Sequence, residues 1–306
     1  MVGAMDAWWT RVDLRQQLGA EVTAGRRISG GDVADAAVLT LSDGRHVFAK
    51  THADPPPRFF TTEAAGLRWL ADAGSLGIGV PEVLAVSDAH PAHLVLPWIP
   101  SGRPTPATEP AFGRALAALH LAGAPAFGSA LADPSGATTG SLALPDDPQE
   151  DWPTFLASNR LLPLARIGRD GRVKPAHPPE PALPDDLIAD LQRLAGRLPD
   201  LGVPDEPPAR LHGDLWAGNR MVDDQGRSWL IDPSAHGGHR EADLAMMALF
   251  GGFDDVCWTA YDEAHPLADG WRERVLLHQV HPLVVHAIRF GGGYVDAARR
   301  AVGRYC

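Results

Sequence analysis

The segment that most constrains what this chain can fold into is residues 211–219, Leu-His-Gly-Asp-Leu-Trp-Ala-Gly-Asn. It places the carboxyl group of Asp214 five residues before the amide group of Asn219. A carboxylate can accept a proton, and both side chains offer oxygen ligands to a divalent cation. A helix N-cap Asp followed by a turn Asn is the commoner explanation of such a pair, so the segment alone leaves both interpretations open.

The residues that follow predict a hairpin whose open end adds a second carboxylate. Two short strands, 219–223 and 228–232, flank a polar turn. Asn219 and Asp232 are symmetric about that turn, so a regular hairpin would place them side by side, with Cα atoms roughly 5 Å apart. The segment that carries Asp214 leads into the first strand, so Asp214 would lie at the same open end of the hairpin. The alternative is that the open end of the hairpin is simply polar, but this does not explain why the apolar run Trp-Leu-Ile ends in Asp.

The spacing of Asp214 and Asn219 matches the loop H-R-D-x-x-x-x-N of kinases. Phosphoryl transfer needs a carboxylate that accepts the proton of the attacking hydroxyl. It also needs oxygen ligands for Mg²⁺ on the other side of the phosphate. Asp214 is therefore the candidate base, and Asn219 and Asp232 are the candidate Mg²⁺ ligands.

The first hundred residues predict a compact lobe of five strands with one inserted helix. The strands are expected at 24–28, 36–41, 46–50, 83–86 and 94–96, and the helix at 59–73. A stiff, Pro-rich connector follows at 97–104, after which the pattern becomes mainly helical. We therefore expect two lobes, one at 1–97 and the other at 98–306.

Lysine is nearly absent from the chain, which makes its position informative. Of the 27 basic residues, only Lys50 and Lys174 are lysines, and Lys50 ends the apolar run HVFAK. On the predicted helix, Glu63 shares one face with Leu67 and Leu70. A carboxylate on an apolar face is costly unless it is paired, and Lys50 is the candidate partner. A helix N-terminus also favours the charge of Glu63, and both explanations can hold.

The turn between the first two strands is a candidate phosphate loop. It contains Ser29, Gly30, Gly31 and Asp32, and small residues let backbone N–H groups approach phosphate oxygens. An ordinary hairpin turn would explain the same residues. No Gly-Lys-Ser/Thr follows, so the segment is not a Walker A motif.

Charge and cysteine content narrow the possible partners. The 27 basic and 38 acidic residues give a net charge of −11, opposite in sign to a generic nucleic-acid or anionic-membrane binder. Two cysteines exclude a disulfide framework. No apolar stretch approaches the about 18–20 residues that span a bilayer, and no signal peptide is evident. We expect a cytoplasmic monomer or weak dimer that binds neither nucleic acid nor membrane.

Taken together, these motifs resemble those of the fructosamine kinases, or ketosamine-3-kinases. This family belongs to the protein-kinase-like superfamily with aminoglycoside phosphotransferases and choline kinases. The segments HGDLWAGN (212–219) and IDPSAHGGHREADLAMMALFGGF (231–253) carry the resemblance most specifically. It implies a two-lobed α+β fold of the protein-kinase type, with a five-stranded antiparallel N-terminal sheet, one inserted helix and a mainly helical C-terminal lobe.

The resemblance also implies that 1–97 is an N-terminal nucleotide-binding lobe and 98–306 a catalytic and substrate-binding lobe. The implied cofactors are ATP and Mg²⁺, and roles follow for single residues. Asp214 and Asn219 would be catalytic, with Asp214 as the base, and Asn219 and Asp232 would hold the metal. The residues expected to bind the nucleotide are Gly30, Gly31, Asp32, Lys50, Glu63, Leu96, Pro97 and Trp98. Asp243 resembles a position that braces the catalytic loop, although an ordinary first-turn Asp explains it equally well.

Three further expectations concern recognition. Leu96, Pro97 and Trp98 would form the hinge that hydrogen-bonds adenine through backbone groups. Because Pro97 has no N–H, either the N–H of Trp98 or the neighbouring carbonyls would make these bonds. Trp216 and His212 lie beside the base and are candidate substrate contacts, with core packing as the competing explanation for Trp216.

The implied reaction is ATP-dependent phosphorylation of the sugar 3-hydroxyl of ketosamines, the Amadori adducts of sugars with amines, free or protein-bound. The labile 3-phosphate would then lead to release of the amine, a deglycation. A kinase of another small amino-alcohol, such as an aminoglycoside or choline, is the alternative. A catalytically inactive nucleotide-binding protein is disfavoured because Lys50, Asp214, Asn219 and Asp232 are all intact.

Overall fold

The structure is a computed structural model that describes residues 8–28, 34–74, 76–128, 137–139, 142–170 and 183–306. The candidate phosphate loop, with Gly30, Gly31 and Asp32, lies outside the described residues, as does Lys174.

An antiparallel five-stranded sheet organises the N-terminal part, in the order β1-β2-β3-β5-β4. Its strands are β1 (Val22–Ile28), β2 (Asp35–Leu41), β3 (His46–Thr51), β4 (Ala85–Ser87) and β5 (His93–Pro97). Helices α1 (Arg15–Leu18) and α2 (Phe59–Ala71) accompany the sheet. Because side chains alternate along a strand, the sheet has two apolar faces. One packs with Trp8 and Leu14, and the other packs on Phe60 and Leu67 of α2.

The remainder of the described chain is mainly helical. The helices are α3 (Thr108–Leu121), α4 (Trp152–Phe155), α5 (Leu162–Asp170), α6 (Asp185–Arg197), α7 (Glu241–Phe250), α8 (Asp255–Ala264), α9 (Trp271–Phe290) and α10 (Gly293–Gly303). A π-helical turn, Leu156–Leu161, joins α4 to α5. Short 3-10 turns lie at Trp8–Thr10, Leu198–Asp200 and Ala217–Asn219. Three two-stranded ribbons complete the architecture: β6 (Ala137–Thr139) with β7 (Leu142–Leu144), β8 (Ala209–Leu211) with β11 (His236–Gly238), and β9 (Arg220–Val222) with β10 (Ser228–Leu230).

The hairpin β9–β10 connects the two parts of the molecule. The carbonyl oxygen of Gly79 accepts a hydrogen bond from the N–H of Leu230, and the N–H of Gly79 donates to the carbonyl of Ser228, both at 2.8 Å. The N–H of Gly102 donates to the carbonyl of Val222 at 2.8 Å. One apolar cluster also joins α2 to α3 and α8. The hairpin that flanks the candidate catalytic loop is therefore held against the N-terminal part.

The predicted α+β class, the five-stranded antiparallel sheet with its inserted helix and the mainly helical remainder are confirmed. The boundary between residues 97 and 98 stays a prediction. Within the described ranges, none of the helices combines the length and apolar character needed to cross a membrane.

The tight contact between α3 and α8 generates a stability prediction. A Cβ on Gly113 of α3 would overlap the backbone carbonyl of Cys257 in α8, and backbone cannot move aside cheaply. Gly113→Ala should therefore lower the free energy of unfolding by about 1–3 kcal/mol, as overpacking does. The measurement is urea denaturation followed by circular dichroism.

Gly196→Ala in α6 is the matched control, because nothing lies within 4 Å of its Cβ position. It should raise the free energy of unfolding by up to about 1 kcal/mol. Equal effects of the two substitutions would contradict this account of the contact.

Candidate active site

Strand β3 and helix α2 bring a buried lysine between two carboxylates. The Nζ atom of Lys50 lies 2.7 Å from Oε2 of Glu63 and 2.7 Å from Oδ1 of Asp232. Lys50 and Glu63 are almost fully buried, whereas the side chain of Asp232 is 44% exposed. The predicted pair between Lys50 and Glu63 is present, and Asp232 joins it from the C-terminal part.

Burial and charge act in opposite directions on these three groups. Burial raises the pKa of the Glu63 carboxyl to about 7, against the charge of Lys50. Burial alone would lower the pKa of Lys50, but the two carboxylates raise it above its ordinary value. The ammonium group in turn holds the pKa of Asp232 below its ordinary value, although burial would raise it. Lys50 and Asp232 are therefore charged at neutral pH, and Glu63 is poised near its pKa.

The loop between β8 and β9 holds the second pair. The side-chain Nδ2 of Asn219 donates to the backbone carbonyl of Asp214 at 2.8 Å and to its Oδ2 at 3.0 Å. The amide oxygen of Asn219 is therefore left for another partner. Burial raises the pKa of Asp214 to about 7 with help from the charge of Asp232, while the bond from Asn219 opposes the shift. The charge of Asp232 therefore acts on Asp214, which links the group around Lys50 to the pair of Asp214 and Asn219.

The register of the hairpin differs from the prediction by one residue. The N–H of Ile231 donates to the carbonyl of Asn219 at 3.1 Å, so Asn219 lies opposite Ile231 and not opposite Asp232. The symmetric placement was wrong because the turn has an odd number of residues, 224–226, and ends in Gly226 with φ of +82°. Asp232 adopts a left-handed backbone conformation, with φ of +53°, and its side chain contacts Lys50.

The backbone of the candidate catalytic loop is held by Asp243 at the start of α7. The N–H of His212 donates to Oδ2 of Asp243 at 2.7 Å, and the N–H of Gly213 donates to Oδ1 at 2.9 Å. His120 approaches the same carboxylate at 3.3 Å. Gly213 has φ of +82°, and a Cβ there would overlap the carbonyl of Ser234. The bracing interpretation of Asp243 fits these bonds better than that of an ordinary first-turn residue.

His212 lies under the loop and not at a substrate-facing surface. Its Nε2 atom is 2.9 Å from the carbonyl oxygen of Ile231, and its Nδ1 accepts from the N–H of Asp214 at 3.3 Å. A carbonyl can only accept, so Nε2 carries the proton. Burial lowers the pKa of His212, which keeps the ring neutral. The expectation of a substrate contact for His212 needs correction, because its side chain is fully buried and both nitrogens are engaged.

Trp216, by contrast, is exposed beside the candidate base. Its side chain is 40% exposed, and its ring meets that of Phe250 edge-on at 5.9 Å. Phe250 and Phe290 are exposed as well. Ring contacts at 5.0–6.0 Å connect five side chains, which we call the aromatic patch: Trp216, Phe250, His286, Phe290 and Tyr294. The exposure of Trp216 disfavours core packing as its explanation.

The candidate hinge lies at the end of β5. Leu96 and Pro97 pair with Phe48 and Val47 of β3, and the N–H of Trp98 donates to the carbonyl of His46 at 3.2 Å. The N–H of Trp98 is therefore already used, which leaves the carbonyl alternative. Because hydrogen-bonding directions alternate along a strand, the carbonyl of Pro97 is directed away from β3.

Comparison with known proteins shows which family this chain is similar to. The family model for fructosamine kinase matches residues 7–306. A Thermus thermophilus protein named as a probable ketoamine kinase is 36% identical over 275 residues, covering 90% of this chain and 91% of its own. A Lactiplantibacillus plantarum protein of the same description is 32% identical over 280 residues, covering 91% and 92%.

Solved structures extend the comparison to three dimensions. A Thermobifida fusca crystal structure, named as a "putative fructosamine-3-kinase", has a TM-score of 0.83 at 38% identity and covers 99% of this chain and 100% of its own. An aminoglycoside phosphotransferase in complex with AMP-PNP and hygromycin B shares the fold, with a TM-score of 0.58 at 17% identity and coverage of 95% and 94%. The fold is therefore of the protein-kinase type, and this chain belongs to the fructosamine kinase family.

Proposed function

We propose that this protein transfers the γ-phosphoryl group of ATP to the 3-hydroxyl of ketosamines, free or protein-bound, and so initiates deglycation. One observation carries the proposal: a buried lysine–carboxylate group and the Asp214–Asn219 pair share one site in a chain of the fructosamine kinase family. Residues 1–97 form the nucleotide lobe and 98–306 the substrate lobe of a cytoplasmic monomer or weak dimer.

Asp214 is the base in this mechanism. The hydroxyl oxygen bonds to the γ-phosphorus as the bond to the bridging oxygen breaks and ADP departs, and Oδ1 or Oδ2 of Asp214 takes the hydroxyl proton. Asn219 orients the carboxylate through its Nδ2 atom. Asp243 fixes the backbone on which the base is mounted. Little covalent chemistry falls to the protein, so positioning of this kind supplies most of the rate enhancement.

Asn219 and Asp232 are the residues that would hold Mg²⁺. Asn219 uses its amide nitrogen on Asp214, which leaves its amide oxygen as a ligand. Asp232 is ionised and partly exposed, with one oxygen on Lys50. Carboxylate and amide oxygens are the donors that Mg²⁺ prefers, so the donor set fits the ion. When bound, Mg²⁺ neutralises charge on the transferring phosphates.

Lys50 positions the nucleotide phosphates, and Glu63 holds Lys50 in place. The carbonyl of Pro97, at the end of β5, accepts from the exocyclic amine of adenine. Leu96 and Trp98 keep this carbonyl in position through their pairing with β3. Gly30, Gly31 and Asp32 stay assigned to the phosphates on the sequence alone.

A panel assay tests the function directly. Purified protein with Mg·ATP is offered fructosamines, ribulosamines, an aminoglycoside and choline, and ADP release is coupled to a spectrophotometric readout. We expect turnover of the ketosamines, with ³¹P NMR assigning the product to the 3-position. Asp214→Asn should bind ATP normally but lose about 10²–10⁴-fold in kcat, because the amide cannot accept the proton. Turnover confined to the aminoglycoside or to choline would favour the alternative kinase.

The scarcity of lysine leads to a second prediction. Lys50→Arg keeps the charge, but a guanidinium fork cannot replace a compact ammonium between Glu63 and Asp232. We expect kcat/KM to fall by about 10²–10³-fold, the usual cost of losing one preorganised donor. Arg193→Lys on the exposed side of α6 exchanges the same residue types and should leave kcat/KM unchanged. Full activity of Lys50→Arg would refute the inference drawn from lysine scarcity.

The bracing of the loop leads to a third prediction. Asp243→Asn replaces one acceptor oxygen by an NH₂ group and leaves a buried N–H of His212 or Gly213 unpaired, which costs about 1–3 kcal/mol in the free energy of unfolding. Amide hydrogen exchange at these two positions should accelerate, and kcat should fall while the KM for ATP stays constant. Asp186→Asn, in an exposed pair with Arg299, is the control. Unchanged exchange rates at His212 and Gly213 would contradict the bracing role.

A further inference from the structure

A cavity extends from Asp214 beneath the catalytic loop. The space within its boundary is about 580 Å³ and includes open solvent, so the enclosed part is much smaller. Asp214 and Gly213 line one end, and the rest of the lining comes from α4, the π-helical turn, β8, β11, α7 and α9. Four of the lining residues are histidines: His236, His278, His281 and His286. The mechanism described above uses none of them.

The hydrogen bonds of His236, His281 and His286 show which of their ring nitrogens could bind a ligand. Nδ1 of His236 is 2.8 Å from the carbonyl oxygen of Ser234, and Nδ1 of His286 is 2.7 Å from that of Pro282. Carbonyl oxygens only accept, so each Nδ1 carries the proton and each Nε2 is an acceptor. Nε2 of His281 is buried and makes no hydrogen bond within the described part of the chain. Buried polar nitrogens of this kind normally have a partner, so the cavity is suited to a ligand rich in hydrogen-bonding groups.

The charges around the cavity define that ligand further. Burial lowers the pKa of His236, His281 and His286, so the three rings are neutral near pH 7. Arg160 also lines the cavity, but its guanidinium already binds Asp146 at 2.8 Å and the carbonyl of Pro145 at 2.6 Å. A neutral imidazole has one donor and one acceptor nitrogen, so it can form hydrogen bonds with hydroxyl groups, which both donate and accept. A phosphate would require an unengaged cation at the same place.

We propose that this cavity, called here the polyol cavity, binds the hydroxyl-bearing carbons beyond C3 of the ketosugar, with His236, His281 and His286 as their hydrogen-bond partners. The inference rests on the proposed function and deepens it by assigning the orientation of the substrate. Asp214 lines the cavity at one end, and Trp216 of the aromatic patch follows two residues later.

The aromatic patch then faces the other half of the substrate. The C1 amine of a ketosamine is a cationic secondary ammonium, and ring faces attract such cations. His286 belongs to both the cavity and the patch. The 3-hydroxyl lies between the two halves of the substrate, as Asp214 lies between the two binding surfaces. The histidines therefore select the sugar, and the patch selects the amine.

Two ketosamines with the same amine test the assignment. One carries a six-carbon sugar, and the other a four-carbon sugar that lacks C5 and C6. For His236→Leu and His281→Leu, we expect kcat/KM to fall by about 10–100-fold with the six-carbon substrate, since an unpaired buried hydroxyl is costly. The four-carbon substrate should lose less than about 3-fold, because fewer hydroxyls need partners. His90→Leu, an exposed residue of the N-terminal part, is the matched control and should change neither value.

Conservative variants keep the test decisive if a leucine variant fails to fold. His236→Gln and His281→Gln retain a hydrogen-bonding group and should preserve most of the preference for the six-carbon substrate. Trp216→Leu should instead lower kcat/KM by a similar factor for both sugars. If the histidine variants lower kcat/KM equally for the two chain lengths while the wild type phosphorylates ketosamines, the polyol cavity is refuted and the proposed function stands. If the wild type phosphorylates no ketosamine, the proposed function falls and this inference falls with it.

Discussion

A buried ammonium group between two carboxylates determines how the parts of this protein meet. Lys50 on β3 binds Glu63 on α2 and Asp232, which lies 182 residues further along the chain. A buried charge is tolerated only while it is paired, and removing one partner leaves the others uncompensated. The strand, the helix and the segment after β10 are therefore positioned by a single electrostatic requirement. That requirement also brings the N-terminal sheet to the segment that carries Asp232, one of the two proposed metal ligands.

The proposed base, Asp214, is held by a second, independent set of bonds. Asp243 accepts from two successive backbone amides of the catalytic loop, and His212 ties the same loop to the carbonyl of Ile231. The backbone next to Asp214 is thus fixed by bonds to α7 and to the segment after β10. In the proposed function, a rigidly held base lies between histidines on one side and aromatic rings on the other. Residues that take no part in phosphoryl transfer would then set the selectivity for the substrate.

Several features of this arrangement follow from local patterns. The helical face shared by Glu63 and Leu67 predicts a buried carboxylate, and the run before Lys50 predicts a strand that ends in a buried ammonium. Their pairing is predicted because each charge would otherwise be buried among the apolar residues of its own element. The spacing of Asp214 and Asn219 predicts a shared loop for a similar reason, since five residues cannot separate the two side chains far. These inferences succeed because the interacting groups are close in sequence or are unusual for their surroundings.

The chain by itself determined the strands, the helices and the chemical types of the groups at the site, because periodicity and burial cost act locally. Only the tertiary structure decided which partner each group takes. The odd turn ending in Gly226 moved Asn219 opposite Ile231, and pairing with His46 engaged the N–H of Trp98. Packing buried His212 and gathered histidines from β11 and α9 around one cavity. The physical reason is that a hydrogen bond depends on ångström-scale placement, which is set by the packing of segments far apart in the chain.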